Sequence, residues 1–372
     1  MFPPRSRVST SLCLAALAMA SLAAPCTVLA DDSRPFLDSV DTVSLVASTV
    51  PTNGDVNPYG IAVVPDSVGM LKRGHVLISN FNDSTNAQGT GTTIVQISPR
   101  GTPTLFAQID PSKVTCPGGV GLTTALAVLR RGWVIVGSLP TSDGTSATAG
   151  AGCLIVLDSN GHVTETFAGG GINGPWDMTS LDDGEQAWLF VTNVLNGDVT
   201  MDGPHEVDQG TVLRIALQVP KAGEGVPTLG PTTVIGSGFA ETADPAALVI
   251  GPTGVGLARD GTLYVADSLK NRIAAIPHAL TRQTTAFTGI DVSFNGALND
   301  PLGLTIAPNG DIITANGNDG NLVETTPAGS QIAVKTVETV TGAGSLFGIA
   351  IVPGGRGVYF VDDGDNTLKV LE

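Results

Sequence analysis

From residue 58 to the C-terminus, short apolar runs alternate with polar turns in a fixed order. The order is clearest at 251–276. An apolar segment, 253–258, is led by Pro252-x-Gly254. Arg259-Asp260-Gly261 follows as a turn, with Asp-Gly supplying the positive φ angles of a tight hairpin. Leu263-Tyr264-Val265-Ala266 is an apolar run of strand length. Residues 267–271 form a second polar turn, 272–276 a third strand, and 283–288 the expected fourth. Strands linked this way form a meander, which cannot bury both of its faces alone and needs neighbours.

The neighbours are copies of the unit. Residues 58–64 lead to 75–79 and 93–97. Gly119-Val120-Gly121 and Pro175-Trp176-Asp177 open two looser copies. Residues 301–307 lead through Asn309-Gly310 to 311–315 and 321–325. Residues 346–352 lead through Gly354-Gly355 to 358–361 and 367–371. Starts at 58, 119, 175, 252, 301 and 346 are spaced by 61, 56, 77, 49 and 45 residues. A four-strand unit repeating at roughly 40–50 residues marks propeller blades, and longer spacings require insertions. Residues 41–49, with Val43, Leu45 and Ala47 alternating against polar neighbours, read as a lone strand. The last unit stops after three strands, so this strand supplies its fourth and closes the ring, removing two exposed sheet edges. The expectation is an all-β, six-bladed propeller of four-stranded antiparallel blades.

Leu263-Tyr264-Val265-Ala266-Asp267-x-x-x-Asn271-Arg272-Ile273, with Pro252-x-Gly254 upstream, resembles the repeat of NHL propellers. The resemblance covers blades four to six well and blades two and three loosely. It extends distantly to six-bladed lactonases of the gluconolactonase type and to strictosidine-synthase-like propellers. The lactonase resemblance implies a divalent cation in the channel, held by Glu, Asn and Asp largely at strand-entry positions. Here that first ring reads Tyr59, Val120, Trp176, Thr253, Leu302 and Phe347, and only Asp177, one residue beyond Trp176, is a carboxylate. The catalytic glutamate of the strictosidine-synthase type has no counterpart near the channel. A second ring closes the second strands: Asn80, Ser138, Asn193, Asp267, Asn316 and Asp362. Hard oxygen donors suit Ca2+. The same side chains also bond the backbone of a following turn, and Asp267…Asn271 and Asp362…Asn366 share one spacing.

Composition narrows the setting. Residues 1–30 read as a signal peptide: Arg5 and Arg7, an apolar stretch at 12–24, and Val28-Leu29-Ala30 before Asp31-Asp32. The stretch is too short to span a membrane. The mature chain is then one domain, 31–372, exported to the periplasm or secreted. The formal charge of −16 argues against nucleic acid or an anionic membrane as partner. Cys116 and Cys153 fall on one face of blade two, and an oxidising compartment favours their disulfide.

Insertions at 80–91, 139–152, 194–209 and 238–251 all gather on one face of the ring, while the opposite face keeps tight turns. Functional residues concentrate on such loops, so the site is expected there. Residues 196–208 carry Asp198, Asp202, His205, Glu206 and Asp208 without the alternate spacing of a calcium loop. His75, His162 and His278 lie away from that face, which excludes a three-histidine zinc site. No nucleophile elbow occurs, and no helix follows the glycine run at 169–171 to make a phosphate cradle.

These observations point to a monomeric binding scaffold for a small molecule, glycan or protein. Tyr59, Trp176 and Phe347 would give an aromatic mouth, ringed by Asn80, Asn193, Asp267, Asn316 and Asp362. The alternative is a divalent-metal-assisted hydrolase or lactonase holding Ca2+ through Asp177, Asn193 and Asp267. A third reading, a structural protein without a small-molecule site, predicts a plugged channel.

Overall fold

The short β-branched runs and glycine-rich turns fold as sheets of hairpin-linked strands. A computed structural model of the protein describes Met1 and residues 34–195, 205–245, 247–339 and 345–372. The signal peptide expected at 1–30 lies outside these apart from Met1, as does 196–204 of the acidic loop.

Blade one comprises β2 (Val56–Val63), β3 (Val76–Asn82), β4 (Thr93–Ile97) and β5 (Pro103–Gln108). Blade two comprises β6 (Leu122–Val128), β7 (Val134–Ser138), β8 (Cys153–Leu157) and β9 (Val163–Phe167). Blade three holds β10 (Gly174–Asp182), β11 (Gln186–Val194), β12 (Val207–Gln218) and β13 (Thr228–Asp244), with a short fifth strand, β14 (Leu248–Ile250). Blade four is β15 (Pro252–Leu257), β16 (Leu263–Asp267), β17 (Arg272–Ile276) and β18 (Ile290–Phe294). Blade five is β19 (Pro301–Ile306), β20 (Ile312–Asn316), β21 (Asn321–Thr325) and β22 (Gln331–Thr336). Blade six joins β23 (Leu346–Ile351), β24 (Val358–Asp362) and β25 (Thr367–Leu371) to β1 (Val43–Ser48) from the other end of the chain. β1 runs antiparallel to β25, from Val43 opposite Leu371 to Ser48 opposite Thr367. The ring is thus closed as expected.

The fourth strand of blade four lies further along than the sequence pattern suggests. Residues 283–288 are not in a strand; β18 begins at Ile290. The earlier segment is drawn to the outer strand of blade three instead. Ala286 N–H donates to Ile235 O at 2.8 Å, and Ser237 N–H donates to Phe287 O at 2.9 Å.

Every innermost strand starts alike. Pro58, Leu122, Pro175, Pro252, Pro301 and Leu346 pair with Asn80, Ser138, Asn193, Asp267, Asn316 and Asp362, and the register then shifts. This bulge bends each strand into the channel wall. It also corrects the first ring: blade two contributes Thr123, next after Leu122, and Val120 stays in the entry loop. The following position is glycine in four blades, and the reason is space. A Cβ on Gly60, Gly254, Gly303 or Gly348 would lie 2.9, 2.4, 2.0 or 2.5 Å from the carbonyl oxygen of Thr123, Leu302, Phe347 or Tyr59 in the next blade. The other two blades carry Thr124 and Asp177. Thr124 Oγ1 donates to Trp176 O.

Apolar clusters fill the spaces between blades. Buried Glu324 accepts the N–H groups of Phe36 and Leu37 at 2.8 and 2.7 Å, fastening the segment ahead of β1 to blade five. Cys116 and Cys153 form a disulfide with Cα atoms 5.4 Å apart, fixing the blade-two entry loop to β8. No helix among the described residues is long and apolar enough to cross a membrane.

Candidate functional site

The two ends of the channel differ. At the loop-rich end, the first ring is packed shut. Tyr59 stacks on Phe347 at 3.8 Å and on Phe81 at 4.5 Å between centroids, with Trp176 6.4 and 6.3 Å from Tyr59 and Phe347. Tyr59 and Trp176 are 2% and 3% exposed and Phe347 is fully buried. They form a core, not the open aromatic mouth expected from their spacing. The insertion at 238–251 supplies the cover. It turns back as β14, whose Leu248, Val249 and Ile250 pack into the same apolar cluster. Trp176 Nε1 donates to Val249 O at 2.9 Å. Insertions from the other blades brace it: Gln88 Nε2 donates to Pro245 O and Ser146 Oγ to Leu248 O, each at 2.6 Å.

The second ring is turned into the blades. Asn80 Nδ2 donates to Thr49 O at 3.1 Å. Asn193 Oδ1 accepts from the N–H groups of Asn173 and Gly174 at 2.8 and 3.0 Å, while its Nδ2 donates to Gly171 O. Asn316 repeats this, accepting from Asn299 N–H and donating to Ala297 O. Asp267 pairs with Arg272 at 2.7 Å; burial raises its pKa and the guanidinium opposes that rise. Asp362 pairs with Lys369, also at 2.7 Å, and Lys369 reaches Glu338 and Asp365 at 2.9 Å. Each side chain latches its own entry loop or third strand. Glu206 pairs with Lys270 across the same face.

The fit to a metal is poor. Among the described residues, no three of His, Cys, Asp and Glu come together to hold an ion. Asn193 and Asp267 are engaged inside their blades, apart from the channel cavity that Asp177 lines. The expected set of Asp177, Asn193 and Asp267 is not a calcium shell, which takes six to eight oxygens.

Below the aromatic layer the channel is open. A cavity of about 410 Å3 is lined by the downstream halves of all six innermost strands. It continues past Leu257, Ile306 and Ile351 into a vestibule of about 580 Å3, edged by Arg259, Pro308 and the turn at 353–355. The opening is therefore on the tight-turn face, opposite the one where the site is expected. The wall side chains are apolar except for Thr179, Ser180 and Thr305 near the opening and Asp177 deeper in, but most of the surface that faces the cavity is polar.

Asp177 is the one carboxylate among these lining residues. Its Oδ1 accepts from Met178 N–H at 2.8 Å and its Oδ2 from Val255 N–H of blade four at 3.1 Å. Its own N–H donates to Thr192 Oγ1 at 3.0 Å. Burial pushes the carboxyl up to about 7, against the smaller downward pull of the two N–H donors. A carboxyl so placed changes charge near neutrality, and can accept a cation or exchange a proton with a bound molecule.

No protein-family model matches the chain, and no curated protein does. Solved structures do. A gluconolactonase from Xanthomonas campestris is 14% identical over 87% of this chain and 88% of its own, with a TM-score of 0.53. The calcium-binding protein regucalcin from Agrobacterium tumefaciens is 13% identical over 88% and 93%, at 0.52. A luciferin-regenerating enzyme is 10% identical over 89% and 95%, at 0.51. The chain is a six-bladed β-propeller, distantly similar to gluconolactonase-type propellers. At these identities the likeness speaks to fold, and one fold hosts unrelated activities.

Proposed function

We propose that this propeller binds a small molecule in its central channel, entered from the tight-turn face. The observation that carries this is the cavity itself: it is walled by all six blades, sealed at one end by Tyr59, Trp176, Phe347 and β14, and open at the other. Its volume falls in the ~300–1,000 Å3 range of small-molecule sites, and the surface that faces it is more polar than such sites usually are. A glycan or a protein is a poorer occupant, because the aromatic platform either would use is buried. The similar gluconolactonase and luciferin-regenerating enzyme are named for small molecules, which supports the same reading.

A hydrolase is the second reading, favoured by Asp177 as a general base titrating near 7. It would act without the metal set expected from sequence. Export is also part of the proposal, supported by the pattern of residues 1–30 and by the disulfide. N-terminal sequencing of the protein from its native host tests it.

The binding test is a ligand-observed NMR fragment screen on wild type and on Ala350→Trp, which fills the channel from β23. Hits lost in a variant with an unchanged melting temperature support the channel. Hits that persist, or that map to the loop-rich face, refute it.

A further inference from the structure

Asp177 stands where four other blades have glycine, and the contrast gives it meaning. At Gly60, Gly254, Gly303 and Gly348 ring closure needs only backbone against backbone, and at Thr124 a neutral hydroxyl suffices. Closure therefore does not call for a charge. Yet blade three places a carboxylate here, half-buried, on the wall of the channel. Each of its oxygens accepts one backbone N–H. A carboxylate has about four lone-pair sites, so acceptor capacity remains.

We propose that the molecule bound in the channel is an organic monocation, a slender ammonium compound whose charged end seats on Asp177. This rests on the channel being the binding site. The surroundings select this chemistry. An ammonium brings three N–H donors and needs acceptors, not a complete oxygen shell. Asp177 alone, with Thr179, Ser180 and Thr305 nearer the opening, is too few donors for a divalent ion. The other wall side chains, among them Ile61, Val63 and Leu257, are uncharged, while most of the surface that faces the cavity is polar.

Among the described residues, no other charged or titratable group lines the cavity with Asp177. β6 supplies Leu126, Ala127 and Val128 to the wall, β11 supplies the Thr192 hydroxyl, and β15 the Val255 N–H. Arg259 is at the outer vestibule, in the turn beyond the end of β15. The field deep in the channel is therefore set by Asp177. Its ionisation should govern affinity for the ammonium and leave a neutral analogue unaffected.

The test compares hexylammonium and benzylammonium with hexanol and benzyl alcohol by calorimetry on the full-length chain. At pH 8.5 the ammonium should bind about tenfold more tightly or better, the usual margin of a charge-assisted hydrogen bond. For wild type the ammonium affinity should fall as pH drops to 5.5, while alcohol affinity stays flat. This readout needs no variant. In Asp177→Asn the preference should vanish with alcohol binding kept, and in Ala350→Trp both ligands should be lost. Equal binding of amine and alcohol, with both blocked by Ala350→Trp, overturns the charge assignment and leaves the channel standing. Binding unaffected by Ala350→Trp, or no binding at millimolar ligand, overturns both.

Discussion

Replacing Asp177 with Asn removes one ionisation from the middle of the ring and should reshape the pH dependence of stability. The carboxyl ordinarily titrates at 3.8 and is pushed to about 7 in the fold. A group whose folded pKa is raised binds its proton more tightly in the folded state. For this acid the contribution is full below about pH 4 and is lost as pH climbs through about 7. Between pH 5 and pH 8 the loss is about 2.7 kcal/mol if the whole shift is realised, and about 1–2 kcal/mol once solvent in the open channel is allowed for. Asn keeps an acceptor for Met178 N–H but turns an NH2 toward Val255 N–H, a cost of about 1–2 kcal/mol that does not vary with pH. Urea unfolding of both proteins at pH 5 and pH 8 isolates the ionisation. Asp300 and Asp363, raised by burial to about 6 and about 7, titrate in the same window but cancel in the difference. The variant should be the less stable protein at pH 5 and regain about 1–2 kcal/mol against wild type by pH 8. A difference that stays constant, or moves the other way, refutes the burial argument for this side chain.

Gly303→Ala should cost about 3 kcal/mol or more, because its Cβ would lie 2.0 Å from Phe347 O and two blades would have to part; an unshifted melting temperature would contradict the account of ring closure. Cys116→Ala with Cys153→Ala opens a link between residues 37 apart and should lower stability by about 3–4 kcal/mol in the chain-entropy treatment, read as a drop in urea midpoint that reductant reproduces in wild type. Lys369→Met takes the cation from Asp362 and Glu338 and should cost about 3–5 kcal/mol at pH 8. Burial, with the hydrogen bond to Glu338, raises the Asp362 carboxyl to about 6, so the deficit should shrink by pH 5 as it protonates, and a deficit equal at both pH values would contradict the ion-pair assignment.

The fold was legible because its signals are local. Asp260-Gly261 and Asn309-Gly310 announce hairpins whatever surrounds them, and the lone strand at 43–48 and a last unit one strand short implied each other. What the chain does not declare is which side chains face which way once a bulge intervenes. The bulge in β6 makes Thr123, not Val120, the ring residue of blade two. Nor does spacing separate an aromatic mouth from an aromatic core, since Tyr59, Trp176 and Phe347 would recur identically in either. One local signal did exist. The insertion at 238–251 contains Ala247, Leu248, Val249 and Ile250, an apolar run too hydrophobic for a solvated loop, and this run fills the space above the ring. Asp177 was legible as a lone carboxylate. Its importance emerges only when its position is matched to the glycines of four other blades.

Gathered insertions usually mark the working face of a propeller, yet here they close it. A long insertion must satisfy its own backbone, and these do so against each other: Gln88 and Ser146 of two blades bond the carbonyls of a third. Sealing one end has a physical consequence for the other. In a channel open at both ends, water would reach Asp177 from two sides and its carboxyl would behave like a surface acid. With the aromatic layer above it, solvent arrives through the passage below, which raises the cost of its charge. The cap and the carboxylate are therefore one arrangement. Loosening the cap, for instance by Trp176→Phe, which gives up the Nε1 bond to Val249 O, should bring the titration of Asp177 back toward that of an ordinary carboxylate without touching any atom that lines the channel.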